Sequence, residues 1–249
     1  MKDFFEKCEA AYFSGYPIIS DQEYDALVKR WNHESVGHTV TDGVPHLYKM
    51  YSLQKYFQLS DAPDTTEYVC TPKLDGAAVS LLYVNGHFAL GLTRGDGNLG
   101  RDITLKLEEL VPRTIPMKGE VQITGEIVLP SSVTNARNVA AGSLNLKDMN
   151  EFRARARDLV FVAYDIQFEK DYSNYNHAMK ALAHEGFNVV TDFDATDYPT
   201  DGLVYRLRDQ KAFQKMGHTA HHPRGAFALK EQKEGKITEL LDVVWQVGK

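Results

Sequence analysis

The chain has 249 residues, of which 43% are hydrophobic and 25% charged, a composition that excludes disordered and collagen-like proteins. Lys plus Arg number 28 and Asp plus Glu number 34, so the net charge of -6 gives no overall attraction to nucleic acid. Two cysteines, Cys8 and Cys70, form no disulfide framework or zinc cluster. With no apolar run of about 18 residues and no signal-peptide pattern, we expect no membrane span and a cytoplasmic location.

Residues 1–34 carry the pattern of two helices. In the second, apolar side chains recur at i, i+3, i+4 and i+7, and Ser20 with Glu23 forms a capping box at its start. Four cations and seven anions give this arm a net charge of -3, half that of the chain. Residues 35–45 have the composition of a linker. We therefore predict a small helical domain and linker over residues 1–45.

From residue 67 onward, strand patterns alternate with helical ones. Segments 77–84 and 87–94 flank Asn85-Gly86, the strongest short signal of a β-hairpin. Further along, the patterns predict helices at about 102–111 and 132–148, strands at 120–128 and 159–167, a helix at about 174–185, a strand at 202–207, a short helix ending near Gly217, and strands at 225–230 and 239–247. A tight hairpin implies antiparallel sheets, so the expected class is α+β rather than doubly wound.

Segment 95–100, Gly-Asp-Gly-Asn-Leu-Gly, matches the dinucleotide-binding pattern G-x-G-x-x-G. That pattern acts through a strand, turn and helix of a parallel unit. Here the preceding strand is the second arm of a predicted hairpin, so we reject a Rossmann interpretation. We interpret the segment as a glycine loop whose backbone amides can approach a phosphate.

Lys73-Leu74-Asp75-Gly76 puts a lysine at a strand end, before an acid and a glycine that permits a tight turn. Lysine attacks an electrophile only as the free amine, which desolvation or cationic neighbours favour. A lysine in a surface turn is the alternative interpretation of so short a string. Charges on other apolar strands favour a polar cleft, because interior charges are costly unless they are paired or functional. These charges are Arg94, Glu126, Asp201, Arg206 and Lys230.

Together these motifs resemble those of bacterial-type NAD-dependent DNA ligases, within the covalent nucleotidyltransferases, over almost the entire chain. The matching segments are 73–76 (motif I), 93–97 (an arginine loop), 125–130 (motif III), 135–144 (a stretch characteristic of NAD-dependent members), 201–207 (motif IV) and 219–230 (motif V). The resemblance implies an α+β adenylation domain at 46–236, of the covalent ligase type and unrelated to ATP-grasp folds, with the start of an OB-fold connection at 237–249.

The N-terminal arm resembles the helical domain that recognises the nicotinamide mononucleotide (NMN) half of NAD. ATP-dependent ligases, RNA ligases and capping enzymes lack this domain. The resemblance implies that Tyr12 and Tyr24 stack on the cationic nicotinamide ring and that Asp21 or Asp25 binds the ribose. From the residues alone, packing between the helices and stabilisation of a helix start by Asp21 are the alternatives.

The implied reaction begins when Lys73 attacks the α-phosphorus of NAD, forming lysyl-AMP and releasing NMN. AMP then passes to the 5′-phosphate of a nick, and the 3′-hydroxyl displaces it. The implied NAD contacts are Ser52, Leu53, Thr71 and Val204 at the pocket, Glu126 on the ribose, Tyr164 on adenine, and Arg206 and Lys230 on the α-phosphate. The implied set is completed by Asp75 and Asp201 in catalysis, Arg94 and Arg137 on the nick's 5′-phosphate, and Glu126 and Asp201 on Mg²⁺ through water.

Three residues depart from the family pattern. Thr71 stands where glutamate is usual, Arg206 where lysine is usual, and Asn145 where a second arginine is expected, with Lys147 as a possible substitute. We expect a monomer that adenylates itself with NAD and Mg²⁺, serves DNA repair and replication, and binds nicked double-stranded DNA weakly without further C-terminal modules. The alternatives are an ATP- or GTP-using nucleotidyltransferase of the RNA-ligase type and a catalytically silent NAD-binding module.

Overall fold

The computed structural model describes residues 43–169 and 172–231, so the predictions for Tyr12, Asp21, Tyr24, Asp25 and the strand at 239–247 lie outside the described residues. The strands are β1 (Val44–Pro45), β2 (Gln54–Tyr56), β3 (Tyr68–Leu74), β4 (Ala77–Val84), β5 (His87–Thr93), β6 (Leu99–Gly100), β7 (Glu120–Val128), β8 (Val160–Phe168), β9 (Asn188–Val189), β10 (Thr200–Leu207) and β11 (Ala226–Lys230). The helices are α1 (Thr104–Leu107), α2 (Ala136–Leu144), α3 (Met149–Arg155), α4 (Tyr175–His184) and α5 (Gln210–Met216).

Two sheets form the framework of the described part of the chain. The five-stranded sheet has the order β5-β4-β7-β8-β9, and the four-stranded sheet has the order β2-β11-β10-β3. Most neighbours are antiparallel, and the pairs β8–β9 and β2–β11 are parallel. The predicted α+β class with antiparallel-rich sheets is confirmed. No helix within the described ranges is long and apolar enough to span a membrane.

The hairpin of β4 and β5 closes as predicted at Asn85-Gly86. Both residues have positive φ, 49° and 86°, which is the backbone of the two-residue turn that the Asn-Gly pair favours. The glycine loop after β5 leads into β6, which pairs with β1 rather than opening a helix. The rejection of a Rossmann fingerprint at 95–100 is therefore confirmed.

The helix predicted at about 132–148 is present but shorter, as α2, and a further helix that was not predicted, α3, begins at Met149. Helix α2 ends at Leu144, and the extended backbone of Asp148 interrupts the chain before α3. The Asp148 carboxylate accepts a hydrogen bond from the amide of Asn150, so it caps the start of a new helix. At 102–111, only the four residues of α1 are helical.

The main hydrophobic core lies on one face of the five-stranded sheet and includes the fully buried Leu81, Ile123 and Ile127. Side chains alternate between the faces of a strand, so Gln122, Thr124 and Glu126 face the other way. A second core cluster, formed by Leu74, Val128, Val162 and Val190, contains residues of both sheets. The polar face of the five-stranded sheet and the four-stranded sheet therefore border one cleft, which carries the candidate site.

Candidate active site

One carboxylate bridges two lysines at the edge of the four-stranded sheet. Nζ of Lys73 lies 2.8 Å from Oδ1 of Asp201, and Nζ of Lys230 lies 2.8 Å from Oδ2 of the same side chain. The Lys73 and Lys230 side chains are 26% and 28% exposed, so the cluster is reachable from solvent. The structure brings together three of the sequence-predicted catalytic residues, from β3, β10 and β11.

An irregularity in β10 delivers Asp201 to this position. The pairing of β10 with β3 shifts register between Thr200 and Leu203. Gly202, inside the shift, has φ of 141°, and a Cβ there would lie 2.1 Å from the carbonyl oxygen of Leu229. Only glycine fits this backbone without strain, so Asp201-Gly202 is a structural pair as well as a motif.

The ion pairs determine the charge state of Asp201. Partial burial by itself would raise the pKa of this carboxyl, but hydrogen bonds from Lys230 and Lys73 and their positive charges lower it below its ordinary value. Asp201 is therefore an anion at neutral pH, and each lysine has a fixed counter-charge.

Glu126 lies on β7 opposite Ala78 of β4, on the cleft face. Burial raises the pKa of Glu126 to about 7, although the charge of Lys73, a hydrogen bond from the Gly76 backbone and the charge of Arg137 oppose this rise. A carboxyl with this pKa is present in both protonation states near neutral pH. It can donate or accept a hydrogen bond in the cleft.

Asp75 and Arg137 form a second ion pair beside the lysine cluster. Nη1 of Arg137 lies 3.0 Å from Oδ1 of Asp75, and the Asp75 amide donates to the carbonyl of Pro199. Arg137 is the second residue of α2, so the pair joins motif I to the start of that helix. A cavity of about 370 Å³ opens there, lined by Asp75, Ser131, Val133, Asn135, Ala136, Arg137, Asn138 and Pro199.

Arg94 follows β5 and reaches the cleft near Tyr164, whose pKa it influences. Its Nε is buried, and no residue of the described segments accepts a hydrogen bond from it. The Arg94 carbonyl accepts a hydrogen bond of 3.0 Å from Nε2 of His46, and Nδ1 of the same ring lies 2.8 Å from the Ser80 hydroxyl. The Nε–H of Arg94 is thus a buried donor on an anchored backbone.

Sequence reasoning missed His46. Its burial lowers its pKa, so the ring is neutral, donates from Nε2 to the Arg94 carbonyl and accepts at Nδ1 from Ser80. A lone histidine at the start of the predicted adenylation domain gives no sequence signal of such a role. Gln122 ties the same segment to β7, because its side chain bonds both the amide and the carbonyl of Tyr48.

Tyr164 and Arg206 occupy the inner part of the cleft. The carbonyl of Tyr164 accepts a hydrogen bond of 2.9 Å from the Tyr175 hydroxyl, and burial raises the pKa of the Tyr164 phenol. Nη2 of Arg206 lies 3.0 Å from Oδ1 of Asp165. The guanidinium carbon lies 4.4 Å and 4.3 Å from the ring centres of Tyr175 and Phe213. These partners of Arg206 are different from the residues of the Lys73–Asp201–Lys230 cluster.

The remaining predicted pocket residues lie on the four-stranded sheet and its approach. Thr71 is buried opposite Val204, and both share the strand face of Lys73 by alternation. Ser52 bonds the segment that follows α5, with its hydroxyl 3.1 Å from the His221 carbonyl and 2.9 Å from Nδ1 of His222. Leu53, next in the chain, is half-buried.

The carboxylates do not form a directly coordinated magnesium site. Among the described residues, no group of three or more His, Cys, Asp or Glu side chains could hold a metal ion. Both oxygens of Asp201 already face ammonium groups at 2.8 Å. These residues therefore do not fit Mg²⁺ as direct ligands, and contacts through water remain a prediction.

The α+β fold with a lysine-bearing cleft defines a ligase-type nucleotidyltransferase domain. A family model described as the NAD-dependent DNA ligase adenylation domain matches residues 40–197. This match covers more than half of the chain, and the chain therefore belongs to that family.

Curated relatives agree with this assignment. The DNA ligase of Aquifex aeolicus is 32% identical over 317 aligned residues, which cover 96% of this chain and 44% of the relative. DNA ligase 1 of Nocardia farcinica is 29% identical, covering 100% of this chain and 46% of the relative. The chain thus spans less than half the length of these curated relatives. A Lig E DNA ligase structure has a TM-score of 0.47 at 14% identity, covering 77% of this chain and 70% of its own.

Proposed function

We propose that this domain transfers AMP from NAD to its own Lys73, as the first step of DNA strand sealing. The observation that carries the proposal is the cluster in which Asp201 bridges Lys73 and Lys230 at 2.8 Å on each side. A nucleophilic amine and a second cation at one point suit attack on a phosphate and stabilisation of the charge that develops there.

In the proposed step, the neutral amine of Lys73 attacks the α-phosphorus of NAD with its lone pair. A phosphorus–nitrogen bond forms, and the phosphorus–oxygen bond to NMN breaks, so that NMN leaves with the electron pair. Lys73 loses two protons, one from its ammonium group before attack and one from the nitrogen after the new bond forms, and both pass through Oδ1 of Asp201, 2.8 Å away, to solvent. Lys230, on the other oxygen of Asp201, turns to the α-phosphate and balances its negative charge.

The adenosine half of NAD is proposed to lie along the polar face of the five-stranded sheet. Glu126, whose pKa is raised to about 7, can exchange hydrogen bonds with the ribose hydroxyls in either protonation state. Tyr164 offers an aromatic ring for adenine from the neighbouring strand β8. Glu126 pairs with Val162 of β8, two residues before Tyr164, so the two side chains are near enough to contact one nucleotide.

Transfer of AMP to the 5′-phosphate of a nicked duplex is proposed as the later step. Arg94 supports it, because its buried Nε lacks an acceptor among the described residues and a phosphate oxygen would supply one. Arg137 lines the cavity beside Asp75 and offers a second guanidinium. Nicked DNA is therefore the proposed partner of the adenylated domain.

The test is intact-protein mass spectrometry after the full chain is incubated with NAD and magnesium. The expected result is one AMP adduct on wild type and on Lys211→Ala, an exposed lysine of α5, and none on Lys73→Ala. An adduct that survives Lys73→Ala contradicts the proposal. An adduct formed from ATP but not NAD favours the RNA-ligase type, and thermal stabilisation by NAD without an adduct favours a silent binding module.

A further inference from the structure

We infer that Arg206 is a positioning residue for the adenine side of the cleft, which acts by holding the stretch of β8 that carries Tyr164. This role differs from direct binding of the α-phosphate. The inference rests on the proposed function, because Tyr164 and a bound adenosine are parts of it. Four observations carry the inference, and they concern the partners of Arg206, the shape of β8, the link through Tyr175, and the register of the four-stranded sheet.

The first observation is that the Arg206 guanidinium already has an ionic partner and two aromatic neighbours. Arg206 is 7% exposed, and its Nη2 lies 3.0 Å from the Asp165 carboxylate. Its guanidinium carbon lies 4.4 Å and 4.3 Å from the ring centres of Tyr175 and Phe213. A buried arginine with an ionic partner and two aromatic neighbours is costly to withdraw, because all three contacts would be lost together.

The second observation is a β-bulge that puts Tyr164 and Asp165 on the same side of β8. The register of β7 and β8 passes from Thr124 opposite Asp165 to Gly125 opposite Ala163, so Tyr164 is an extra residue. The flanking Ala163 and Ile166 are both buried in the main core. The two residues between them therefore face the cleft, and a bulge of this kind re-aims side chains.

The bulge in β8 requires a glycine on the partner strand β7, and Gly125 supplies it. A Cβ at this position would lie 2.4 Å from the ring of Phe161 and 2.5 Å from the carbonyl oxygen of Val162. The close approach of β8 to β7 at this point thus depends on a glycine. The Gly125-Glu126 pair of motif III therefore shapes β8 as well as supplying the cleft carboxyl.

The third observation is that Arg206 reaches both residues of the bulge. It binds the Asp165 side chain directly, and its guanidinium lies over the ring of Tyr175, whose hydroxyl donates to the Tyr164 carbonyl. The Tyr175 amide in turn donates to the carbonyl of Arg208, two residues after Arg206. Strand β10 and the bulge of β8 are thereby joined through one arginine and one tyrosine.

The fourth observation is the distance from the lysine cluster along the sheet. Arg206 pairs with Val69 on β3 and Ala226 on β11, and each of these lies four residues from the lysine of its strand. Four residues of extended chain span roughly 13 Å. Lysine, the usual family residue here, lacks the planar group with which arginine contacts aromatic faces, so the two rings near Arg206 suit arginine better.

The test distinguishes the two roles by which ligand, adenosine or AMP, binds more weakly to the Arg206 variant. Binding of adenosine and of AMP to the full chain is measured by calorimetry for wild type, Arg206→Gln and the control Arg153→Gln, which breaks an exposed ion pair with Glu109. A positioning role predicts that Arg206→Gln weakens both ligands by the same factor, about tenfold for a loss of 1.4 kcal/mol. A phosphate contact predicts that AMP is weakened and adenosine is not, and this result would overturn the inference.

A second variant keeps the inference testable if Arg206→Gln does not fold. Tyr175→Phe retains the ring under the guanidinium and removes only the hydroxyl that bonds the Tyr164 carbonyl. It is expected to weaken adenosine and AMP equally, and unchanged binding of both would refute the link through Tyr175. If wild type binds neither ligand, the proposed function fails and the inference with it. If wild type binds both but Arg206→Gln affects AMP alone, only the inference fails.

Discussion

Nζ of Lys73 lies 2.8 Å from Oδ1 of Asp201, so the proposed nucleophile is paired with an anion before any substrate is present. The same carboxylate holds Lys230 with its other oxygen. An ammonium group has no lone pair with which to attack, so Lys73 must give up a proton and leave this ion pair when the substrate arrives. The bridge positions the amine and restrains it at the same time.

Replacing Asp201 with asparagine is expected to slow self-adenylation at least tenfold, since general-base contributions are typically larger than this. The amide cannot accept the proton of Lys73, and the two ammonium groups lose the charge between them. The measurement is the single-turnover rate of adduct formation with NAD. Asp192→Asn, at an exposed loop position, is the matched control and is expected to keep the wild-type rate. An Asp201→Asn rate equal to wild type would remove Asp201 from the mechanism.

The raised pKa of Glu126 predicts a pH-dependent loss of stability. Its pKa is about 7 in the folded chain against 4.5 ordinarily, so the folded state binds the proton more tightly. The free energy of unfolding therefore falls as pH rises between these two values and levels off above the folded pKa. The difference corresponds to on the order of 3 kcal/mol.

In the Glu126→Gln variant, the free energy of unfolding is expected not to fall with rising pH in this way. It should exceed that of wild type at about pH 8, where the wild-type carboxyl is ionised. Urea unfolding followed by circular dichroism at several pH values measures it. Glu120→Gln, at the exposed first position of the same strand, is the control and should follow the wild-type curve. Parallel curves for wild type and Glu126→Gln would show that burial does not raise this pKa.

Two glycine-to-alanine substitutions, one at the irregularity of β10 and one control in a helix, test for backbone strain at Gly202. Gly202→Ala is expected to lower the free energy of unfolding by at least about 2 kcal/mol, because its Cβ would meet the Leu229 carbonyl at 2.1 Å and φ is 141°. Gly142→Ala, within α2 and with open space around its Cβ, is expected to stabilise the chain by about 0.5–1 kcal/mol. Equal effects of the two substitutions on the midpoint of urea unfolding would contradict the strain at Gly202.

His46 is expected to matter more for transfer of AMP to DNA than for self-adenylation. His46→Ala removes the donor to the Arg94 carbonyl and the acceptor for Ser80, which frees the backbone that positions the Arg94 guanidinium. The two steps are measured separately, with adduct formation from NAD and then transfer to a 5′-phosphorylated nicked duplex. Ser80→Ala, which loses one of these two contacts, should give a smaller effect. A loss confined to self-adenylation would refute the role.

Local signals in the sequence predicted local structure well. The Asn85-Gly86 turn and strand β7 follow from chemistry within a few residues, and the lysine at the end of β3 is readable from a short motif. Helix α3 was not predicted, although Asp148, which caps its start, ends the segment predicted as helical. The seven residues of α3 form only about two turns, too few for a helical period to show in the sequence.

Contacts between strands that are far apart in the sequence could not be predicted from local sequence patterns. The resemblance implied that Arg206 binds the α-phosphate, which stays a prediction, but it gave no sign of the Asp165 partner, whose placement depends on a one-residue bulge in β8. The only trace of that bulge in the sequence is Gly125, and a glycine in a strand has several explanations. The parallel pairing of β2 with β11 joins segments about 170 residues apart, which no local pattern specifies.

The near-neutral pKa of Glu126 has a consequence for how the cleft attracts its substrate. The chain carries a net charge of -6, but the charged groups around the cleft are unevenly distributed. Among the described groups of the candidate site, four cations (Lys73, Arg94, Arg137 and Lys230) stand against the two carboxylates Asp75 and Asp201, while Arg206 and Asp165 cancel each other. These groups carry an excess of two positive charges, and ionisation of Glu126 halves that excess. We therefore expect the attraction of the site for an anionic ligand to weaken as pH rises through about 7.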